Sequence, residues 1–586
     1  MIDIWTSEDP WPDGTRELLL IGPPGTGKTR NVLDAYVWPA MREGQTVLAT
    51  SYTRAGADGL RKRTSKELGL PPATYREELS TLHSEAARRV RHLHFTMDTD
   101  RKGAEPIPEG KEEDESEYRE VELCARIEEE STKAGLAAWD RTRNMYPEDI
   151  GLPIKDRLRR MGLYGGQLDD AVVAVEQDLH RRHRDGVLVS PDFTSLLEQA
   201  LQRGEDRRLD LLVIDEAQDL CQLQWALIDK WSATSTRLLL VGDPDQSIYG
   251  WSGADGRRLL SWIRKGRCAR RLAQSYRVPA APWRFARTVI RQVVDREDAP
   301  YHPKVDRTTG APVEGSVREA YGDEAWFAVG AAQEAGETAF VLSRTRAGCS
   351  AGAEALERLQ IPYLAERGAS VLGRAGVPPK PSRTLAAVLA LQEVAHGQDV
   401  HPEGARRLVE ALSTKGLRTM ERGAKGNLTA LTRDKRSRVS LDAMEEAGLP
   451  VAELTDLWRL LSSGAQGGSL LPRDPEREVA RCFIASGGIS APDVVLVARW
   501  VVTYGDDLLR IANLVRVTTC HGSKGREATV VLVDARHRFR GQMSPEQIDE
   551  DRRVLYVAAT RTERDLVVLR THDGEDWIDM HGLKVT

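Results

Sequence analysis

Residues 18–29 read Leu18-Leu19-Leu20-Ile21-Gly22-Pro23-Pro24-Gly25-Thr26-Gly27-Lys28-Thr29, an apolar run that passes directly into a glycine-rich loop. The loop is a complete G-x-x-x-x-G-K-[ST] pattern between a predicted strand and a predicted helix. Its glycines let backbone N–H groups point at phosphate oxygens, and the start of the helix adds partial positive charge. We therefore expect residues 22–29 to bind a nucleotide, with Lys28 reaching the β- and γ-phosphates and Thr29 ligating Mg²⁺.

Other apolar runs of strand length fall into two groups along the chain. The first group comprises residues 18–21, 47–50, 211–214 and 238–241, and the second comprises residues 338–342, 513–518, 529–533 and 566–569. Short apolar strands that alternate with helical sequence are typical of a parallel α/β sheet. Helix-like sequence interrupts each group, at about 85–205 and 376–508. The sequence therefore predicts two α/β cores, each with a mainly helical insertion.

Two carboxylates follow the apolar run at 211–214. Asp215 and Glu216 stand at its end, and the carboxyl ends of parallel strands meet at the ligand crevice. We expect Asp215 to hold Mg²⁺ and Glu216 to accept the proton of the attacking water. Together with the glycine-rich loop, the pair indicates a nucleoside triphosphatase that uses Mg²⁺.

Bulk properties restrict the class of protein. The 586 residues predict three to five compact units, and the net charge of -6 means that any phosphate-binding track must be local. The six cysteines contain no C-x-x-C pair, which argues against a zinc ribbon, an iron–sulfur cluster or a disulfide framework. The N-terminus lacks the features of a signal peptide, and no apolar run approaches the ~20 residues of a membrane span. We expect a protein without membrane contact in the cytoplasm of a bacterial or phage-infected cell.

Further motifs resemble those of the UvrD/Rep-like superfamily 1A DNA helicases. Residues 215–219, Asp-Glu-Ala-Gln-Asp, resemble the D-E-x-Q-D box of that family, and residues 242–249 resemble its G-D-x-x-Q-x-I-Y motif. The other matching segments, in the order of the family, are residues 50–55, 81–84, 192–197, 274–277, 517–527 and 556–561. No nuclease domain is expected after the last motif, which lies close to Thr586.

The resemblance implies a fold and its domain boundaries. It implies two RecA-like motor cores, the first (1A) formed by residues 1–84 and 205–275 and the second (2A) by residues 276–375 and 509–586. Residues 85–204 (1B) and 376–508 (2B) would be the helical insertions.

The resemblance also implies roles for single residues. Gln246 would sense the γ-phosphate, and Arg277 and Arg561 would act on the phosphates as arginine fingers from the second core. Their planar donor forks suit phosphate. Tyr276 would stack on the base, Arg30 would reach the nucleotide, and Glu527 would bind the ribose. The implied DNA contacts are Tyr52, Thr53, His83, Tyr249, Trp251 and His521.

One departure from the family concerns the base. The glutamine that reads adenine in the family has no counterpart in residues 2–17, which contain no glutamine. A strict preference for ATP over other nucleotides therefore stays open.

The resemblance implies an ATP-dependent 3′→5′ translocase and helicase that acts in replication, repair or recombination on single-stranded DNA and tailed duplex DNA. Two alternatives remain. The protein could strip other proteins from single strands and unwind weakly, or it could be an ATP-gated nucleic-acid loading factor.

Overall fold

The computed structural model describes residues 3–4, 11–91, 130–184, 187–188, 192–298, 300–306, 308–366, 370–375, 379–412, 421, 423–432, 437–463, 482, 490–537 and 543–585. The chain forms two compact units. Unit 1 comprises Met1–Tyr276, Ile290–Val305 and Met543–Arg553, and unit 2 comprises Arg277–Val289, Asp306–Gln542 and Val554–Thr586. The boundaries of 1A, 1B, 2A and 2B stay a prediction.

The strands are β1 Asp3–Ile4, β2 Glu17–Ile21, β3 Val47–Ser51, β4 Leu79–Thr81, β5 His183–Arg184, β6 Val187–Leu188, β7 Leu209–Asp215, β8 Ser235–Gly242, β9 Ala269–Arg271, β10 Ser316–Tyr321, β11 Ala339–Ser343, β12 Leu364–Ala365, β13 Gly373–Arg374, β14 Lys380–Pro381, β15 Val515–Thr519, β16 Ala528–Asp534 and β17 Thr562–Arg570. Unit 1 holds a parallel sheet of order β1-β9-β2-β8-β7-β3-β4. Unit 2 holds a sheet of order β10-β17-β16-β11-β15-β12-β13-β14, parallel except for the pair β13–β14. The predicted α/β class with two RecA-like cores is confirmed.

The α-helices of unit 1 include Lys28–Val32, Trp38–Arg42, Arg54–Leu68, Leu82–Arg89, Glu130–Met145, Ile154–Arg159, Gly165–Arg182, Phe193–Arg203, Gln222–Ala233 and Arg257–Arg264. Those of unit 2 include Glu324–Glu334, Arg346–Arg358, Arg383–Ala395, Pro402–Ala411, Ala424–Leu431, Leu441–Glu446, Val451–Ser463, Ala491–Tyr504, Leu508–Ala512 and Trp577–Met580. Two further helices, Ala280–Ile290 and Pro545–Ala559, contribute residues to both units.

All eight predicted strands are present, because their apolar side chains lie in the middle of a sheet and are buried on both faces. Leu18, Leu211 and Leu239, for example, are fully buried. Strands at or near the sheet edges were not predicted. β9 and β10 carry Arg270 and Glu319 and have no continuous apolar run, because strands with solvent on one side do not require one.

The first sheet brings its carboxyl ends to one edge. β2, β7 and β8 are neighbours and parallel, so the loops that follow them emerge side by side. Asp215 ends β7, and Gly22 and Asp243 begin the loops after β2 and β8, so residues of three candidate segments meet at this edge. No helix in the described parts of the chain is long and apolar enough to cross a membrane.

Candidate functional site

The loop after β2 has the backbone that a phosphate cradle requires. Gly25 and Gly27 take left-handed φ angles of 77° and 73°, which glycine adopts without a Cβ clash. A Cβ on Gly22 would lie 2.4 Å from Cγ of Lys28. Lys28 folds back over the loop, and its Nζ donates to the carbonyl oxygen of Gly22 at 2.6 Å. The loop therefore holds the predicted lysine beside its own main chain.

Oxygen atoms suited to Mg²⁺ meet where the helix Lys28–Val32 begins and β7 ends. The Thr29 hydroxyl donates to Asp215 Oδ2 at 2.8 Å, and the backbone N–H of Glu216 donates to Asp215 Oδ1 at 3.0 Å. Burial, and then the neighbouring Glu216, raise the pKa of Asp215 to about 6, against the hydrogen bond from Thr29. Two hard oxygen donors at a strand end fit Mg²⁺, which usually keeps few protein ligands and is completed by phosphate and water.

Glu216 stands in a constrained position beside Asp215. Its φ of 56° is left-handed, which is uncommon for a residue with a Cβ. Such conformations persist where the surroundings hold them and cluster at functional sites. Gln218 supplies one such restraint, because its Nε2 donates to Glu216 Oε2 at 2.6 Å.

A chain of hydrogen bonds continues from Glu216 to Gln246. Oε1 of buried Gln218 accepts the backbone N–H of Asp243 at 3.0 Å, and Gln246 Nε2 donates to Asp243 Oδ2 at 2.7 Å. The structure thus joins two segments that are separate in sequence. Gln218 and Asp243 were not predicted as site residues, although both lie within the recognised motifs. Each acts on a predicted residue through its side chain, a role that motif positions do not reveal.

Tyr276 lies beside the phosphate loop. Its backbone N–H donates to the Gly25 carbonyl at 2.8 Å, and its ring edge is 3.8 Å from the position that a Cβ on Gly27 would occupy. The side chain is 54% exposed, so a ring face is accessible to a flat ligand. Arg30 takes a different partner, since its Nε donates to Asp34 Oδ2 at 2.7 Å and its guanidinium lies over the Trp38 ring.

The three candidate residues of unit 2 that were predicted to bind nucleotide have partners within that unit. Arg277 Nε donates to Glu527 Oε2 at 2.5 Å, so these two residues are paired with each other. Arg561 is 1% exposed. Its Nε donates to the Val557 carbonyl at 2.8 Å and its Nη2 to Thr560 Oγ1 at 3.3 Å.

Three of the predicted DNA contacts form a group of rings in unit 1. The ring centroids of Tyr52 and Tyr249 are 5.5 Å apart, and those of Tyr249 and Trp251 are 6.3 Å apart. Trp251 is 62% exposed, whereas burial, and then Asp219, raise the pKa of Tyr52. We call Tyr52, Tyr249 and Trp251 the aromatic group.

Thr53, His83 and His521 were also predicted to contact DNA. Thr53 is the N-cap of the helix Arg54–Leu68 and accepts from the Gly56 N–H at 3.0 Å. The His83 ring packs edge-on against Phe193, with centroids 5.3 Å apart. Burial, and then Arg54, lower the pKa of His83 to about 4, so it is neutral at pH 7. The half-buried His521 lies in a turn of unit 2 after β15.

Comparison with known proteins identifies the family and the relatives that this chain resembles. Residues 9–265 match the UvrD/REP helicase N-terminal domain, and residues 514–569 match the UvrD-like helicase C-terminal domain. The chain is 24% identical over 376 residues to DNA helicase II of Haemophilus influenzae, with 59% of this chain and 48% of the relative covered. It is 26% identical over 280 residues to DNA helicase II of Escherichia coli, with 44% and 36% covered. It is 26% identical over 307 residues to the ATP-dependent DNA helicase PcrA of Bacillus subtilis, with 48% and 38% covered.

The alignments thus span less than half the length of each of these relatives. The two domain matches include the phosphate loop, the carboxylate pair and the aromatic group at one end of the sequence and strands of the second sheet at the other. Their ranges together exceed half of the 586 residues. On this evidence the chain belongs to the UvrD/Rep helicase family.

Proposed function

We propose that this protein is an ATP-dependent motor on single-stranded DNA that translocates 3′→5′ and unwinds tailed duplexes. The observation that carries the proposal is the composition of one loop. Residues 242–251 hold Gln246, linked by hydrogen bonds to Glu216, and also Tyr249 and Trp251 of the aromatic group. A structural change at Gln246 therefore has to pass through only a few residues to reach the rings of Tyr249 and Trp251.

The hydrolytic half of the proposal assigns a task to each side chain. Lys28 leaves the Gly22 carbonyl and binds phosphate oxygens, and Glu216 accepts the proton of the attacking water. Gln246 orients that water or senses the γ-phosphate. Thr29 and Asp215 would hold Mg²⁺, which would supply positive charge to the phosphates.

Groups outside the loop complete the nucleotide site in this proposal. Tyr276 stacks on the base, Glu527 binds the ribose, and Arg30 contacts the nucleotide after exchanging its partner Asp34. Arg277 and Arg561 act on the phosphates as arginine fingers and stabilise charge in the transition state.

The nucleic-acid half depends on the aromatic group. Rings stack on any base, because every base has a π-face, so an exposed Trp251 beside Tyr249 suits a motor that reads no sequence. Neutral His83 and the capping residue Thr53 can add hydrogen bonds to the sugar-phosphate backbone of the DNA, and His521 can do so from unit 2. Stacking requires unpaired bases, which favours single strands over duplex DNA as the track.

The family supports a role in replication, repair or recombination in the cytoplasm of a bacterial or phage-infected cell. A translocase that strips proteins from single strands with weak unwinding would use the same site. An ATP-gated loading factor would use hydrolysis to reset binding and not to travel.

ATP hydrolysis with and without single-stranded DNA, together with strand displacement on 3′-tailed and 5′-tailed duplexes, separates these functions. We expect strong stimulation by single strands and unwinding of the 3′-tailed duplex. The stimulation should weaken with salt, since log K for single strands falls by about 0.7 per neutralised phosphate for each log unit of salt. Stimulation without strand displacement would favour the stripping translocase. An ATPase that ignores DNA would contradict the motor proposal.

A further inference from the structure

Arg296, in a segment outside the recognised motifs, binds the loop that carries Gln246. Within unit 1, Arg296 Nη2 lies 2.9 Å from Asp245 Oδ2, and its Nε lies 3.3 and 3.4 Å from Oδ2 and Oδ1. Both side chains are 13% exposed. Arg296 also contacts Asp298 Oδ1 through Nη1 at 3.3 Å. The guanidinium thus holds Asp245 with two of its nitrogens.

Asp245 is coupled to Gln246 through a third carboxylate. The backbone N–H of Asp245 donates to Asp243 Oδ1 at 3.1 Å, and Gln246 Nε2 donates to Asp243 Oδ2 at 2.7 Å. Asp245 is the middle residue of the 3₁₀ turn Pro244–Gln246. A displacement of Asp245 therefore changes the main chain next to Gln246 and the acceptor of its side chain together.

The segment that carries Arg296 also contacts the phosphate loop. The Tyr301 hydroxyl donates to the Pro24 carbonyl at 3.1 Å. Ser275 Oγ donates to the same carbonyl at 3.1 Å, and the Ser275 N–H donates to the His302 carbonyl at 2.9 Å. Arg296 thus contacts the Gln246 turn, and Tyr301 and His302 contact the phosphate loop or the residue bonded to it.

A contribution to stability does not by itself explain why Arg296 and Asp245 form a nearly buried ion pair. Removing an arginine and an aspartate from water is costly, and apolar residues of similar volume often stabilise as well. Burial, and then Asp243, raise the pKa of Asp245 to about 6, while Arg296 and Arg553 lower it. What the pair provides, and an apolar contact would not, is a fixed direction for Asp245, because the guanidinium fork binds a carboxylate in few orientations.

We propose that Arg296 is a positioning residue for hydrolysis, which holds Asp245 so that Gln246 faces the reacting phosphate. This inference rests on the proposed function. Arg296 touches neither nucleotide nor DNA in this role, so its loss should lower kcat and leave nucleotide binding nearly unchanged. A misplacement of about 1 Å caused far from the chemistry can reduce the rate by up to about 100-fold.

The test compares Arg296→Ala and Arg296→Lys with Arg264→Ala. Arg264 is a matched control because it pairs with Asp295 and Glu297 of the same segment at 2.8 and 3.1 Å, but is half exposed and does not contact the Gln246 turn. For each variant, kcat and KM for ATP with saturating single-stranded DNA, Kd for a fluorescent ADP analogue, and hydrogen exchange of residues 242–251 are measured.

We expect Arg296→Ala to lower kcat about 10- to 100-fold with Kd within about threefold, and to speed exchange in residues 242–251. Arg296→Lys, which keeps the charge and loses the fork, should fall between Ala and wild type. Arg264→Ala should match wild type. If Arg296→Ala does not fold, Arg296→Lys decides, and a wild-type kcat for it overturns the inference. Normal kcat in folded Arg296→Ala, or equal losses in Arg264→Ala, also overturns it. A wild-type protein without ATPase activity would instead refute the proposed function, and hydrogen exchange would still report whether Arg296 holds the turn.

Discussion

In unit 1, Thr29, Asp215, Glu216 and Gln246 belong to hydrogen-bonded groups at one sheet edge. In unit 2, Arg561 follows the helix Pro545–Ala559 and donates to the carbonyl of Val557 in that helix. The carboxylates and amides of unit 1 fix one another, and Lys28 rests on a carbonyl of the loop that would bind phosphate. Arg561 is instead held by the Val557 carbonyl and the Thr560 hydroxyl.

This difference indicates two kinds of candidate site residue. In the proposed site, the residues of unit 1 would need only small side-chain changes to bind a nucleotide, which is the preorganisation that catalysis favours. Arg561 would have to leave buried partners before it could act on a phosphate. A variant of Arg561 therefore tests whether unit 2 takes part in hydrolysis, whereas a variant of Lys28 tests the nucleotide site of unit 1.

The largest expected effect comes from Lys28→Ala. Lys28 is assigned only the binding of phosphate charge, and its Nζ donates to a carbonyl of its own loop, so the fold should persist while steady-state ATP hydrolysis falls below detection. Lys62→Ala, on the exposed face of the helix Arg54–Leu68, is the control and should behave as wild type. Measurable turnover by correctly folded Lys28→Ala would contradict the assignment of the loop.

Arg561→Ala should lower kcat by roughly 10³–10⁵, the range for arginine fingers in related phosphoryl transfer. Nucleotide Kd should change far less, because the charge is needed mainly in the transition state. Arg564→Ala is the control, since that exposed arginine pairs with Glu337 and Asp565 in the same unit. The structure also supports a competing role, in which Arg561 caps the end of the helix Pro545–Ala559. In that role the variant would lose stability in a thermal melt and keep its kcat.

The central strands and the phosphate loop could be predicted because each depends on local sequence. A buried strand requires an apolar run such as residues 211–214, and the loop requires glycine at Gly25 and Gly27. The strands at or near the sheet edges could not be predicted, since half-exposed positions accept Arg270 or Glu319 without a pattern.

The links between motifs were equally beyond prediction. That the Gln218 side chain reaches Asp243 depends on which strands lie side by side in the sheet, and sequence spacing does not give that order. Arg296 lies 51 residues from Asp245 in a stretch without a motif, so only the fold brings the two together.

A smaller effect is expected for Trp251→Ala. Stacking of a base on an aromatic ring is worth about 1–3 kcal/mol, so affinity for single-stranded oligothymidylate should fall about 5- to 150-fold in fluorescence anisotropy at low salt. ATPase activity without DNA should be unchanged. Phe327→Ala is the control, because Phe327 is equally exposed, at 61% against 62% for Trp251, but lies in unit 2 outside the motifs. Equal losses in the two variants would contradict a specific role for the aromatic group.

The smallest effect concerns the ionisation of Asp215. Burial, and then the charge of Glu216, raise its pKa to about 6, and a carboxyl must lose its proton to bind a metal. Mg²⁺ should therefore support binding of a fluorescent ADP analogue fully at pH 7.5 and about fourfold less well at pH 5.5, where competition from one proton leaves about a quarter of Asp215 ionised.

The variant Glu216→Gln distinguishes the titration of Asp215 from that of the nucleotide, whose phosphates also take up protons near pH 6. The substitution removes the negative neighbour, so the pKa of Asp215 should fall and the acid limb of Mg²⁺-dependent binding should move to lower pH. The ionisation of the nucleotide is the same for both proteins and cancels in the comparison. The variant should bind Mg²⁺ and nucleotide at pH 7.5 and lose hydrolysis, because it lacks the proton acceptor and keeps the metal ligand. Identical acid limbs in the two proteins would mean that Asp215 does not set the pH dependence. Loss of nucleotide affinity with retained turnover would mean that the roles of Asp215 and Glu216 are assigned wrongly.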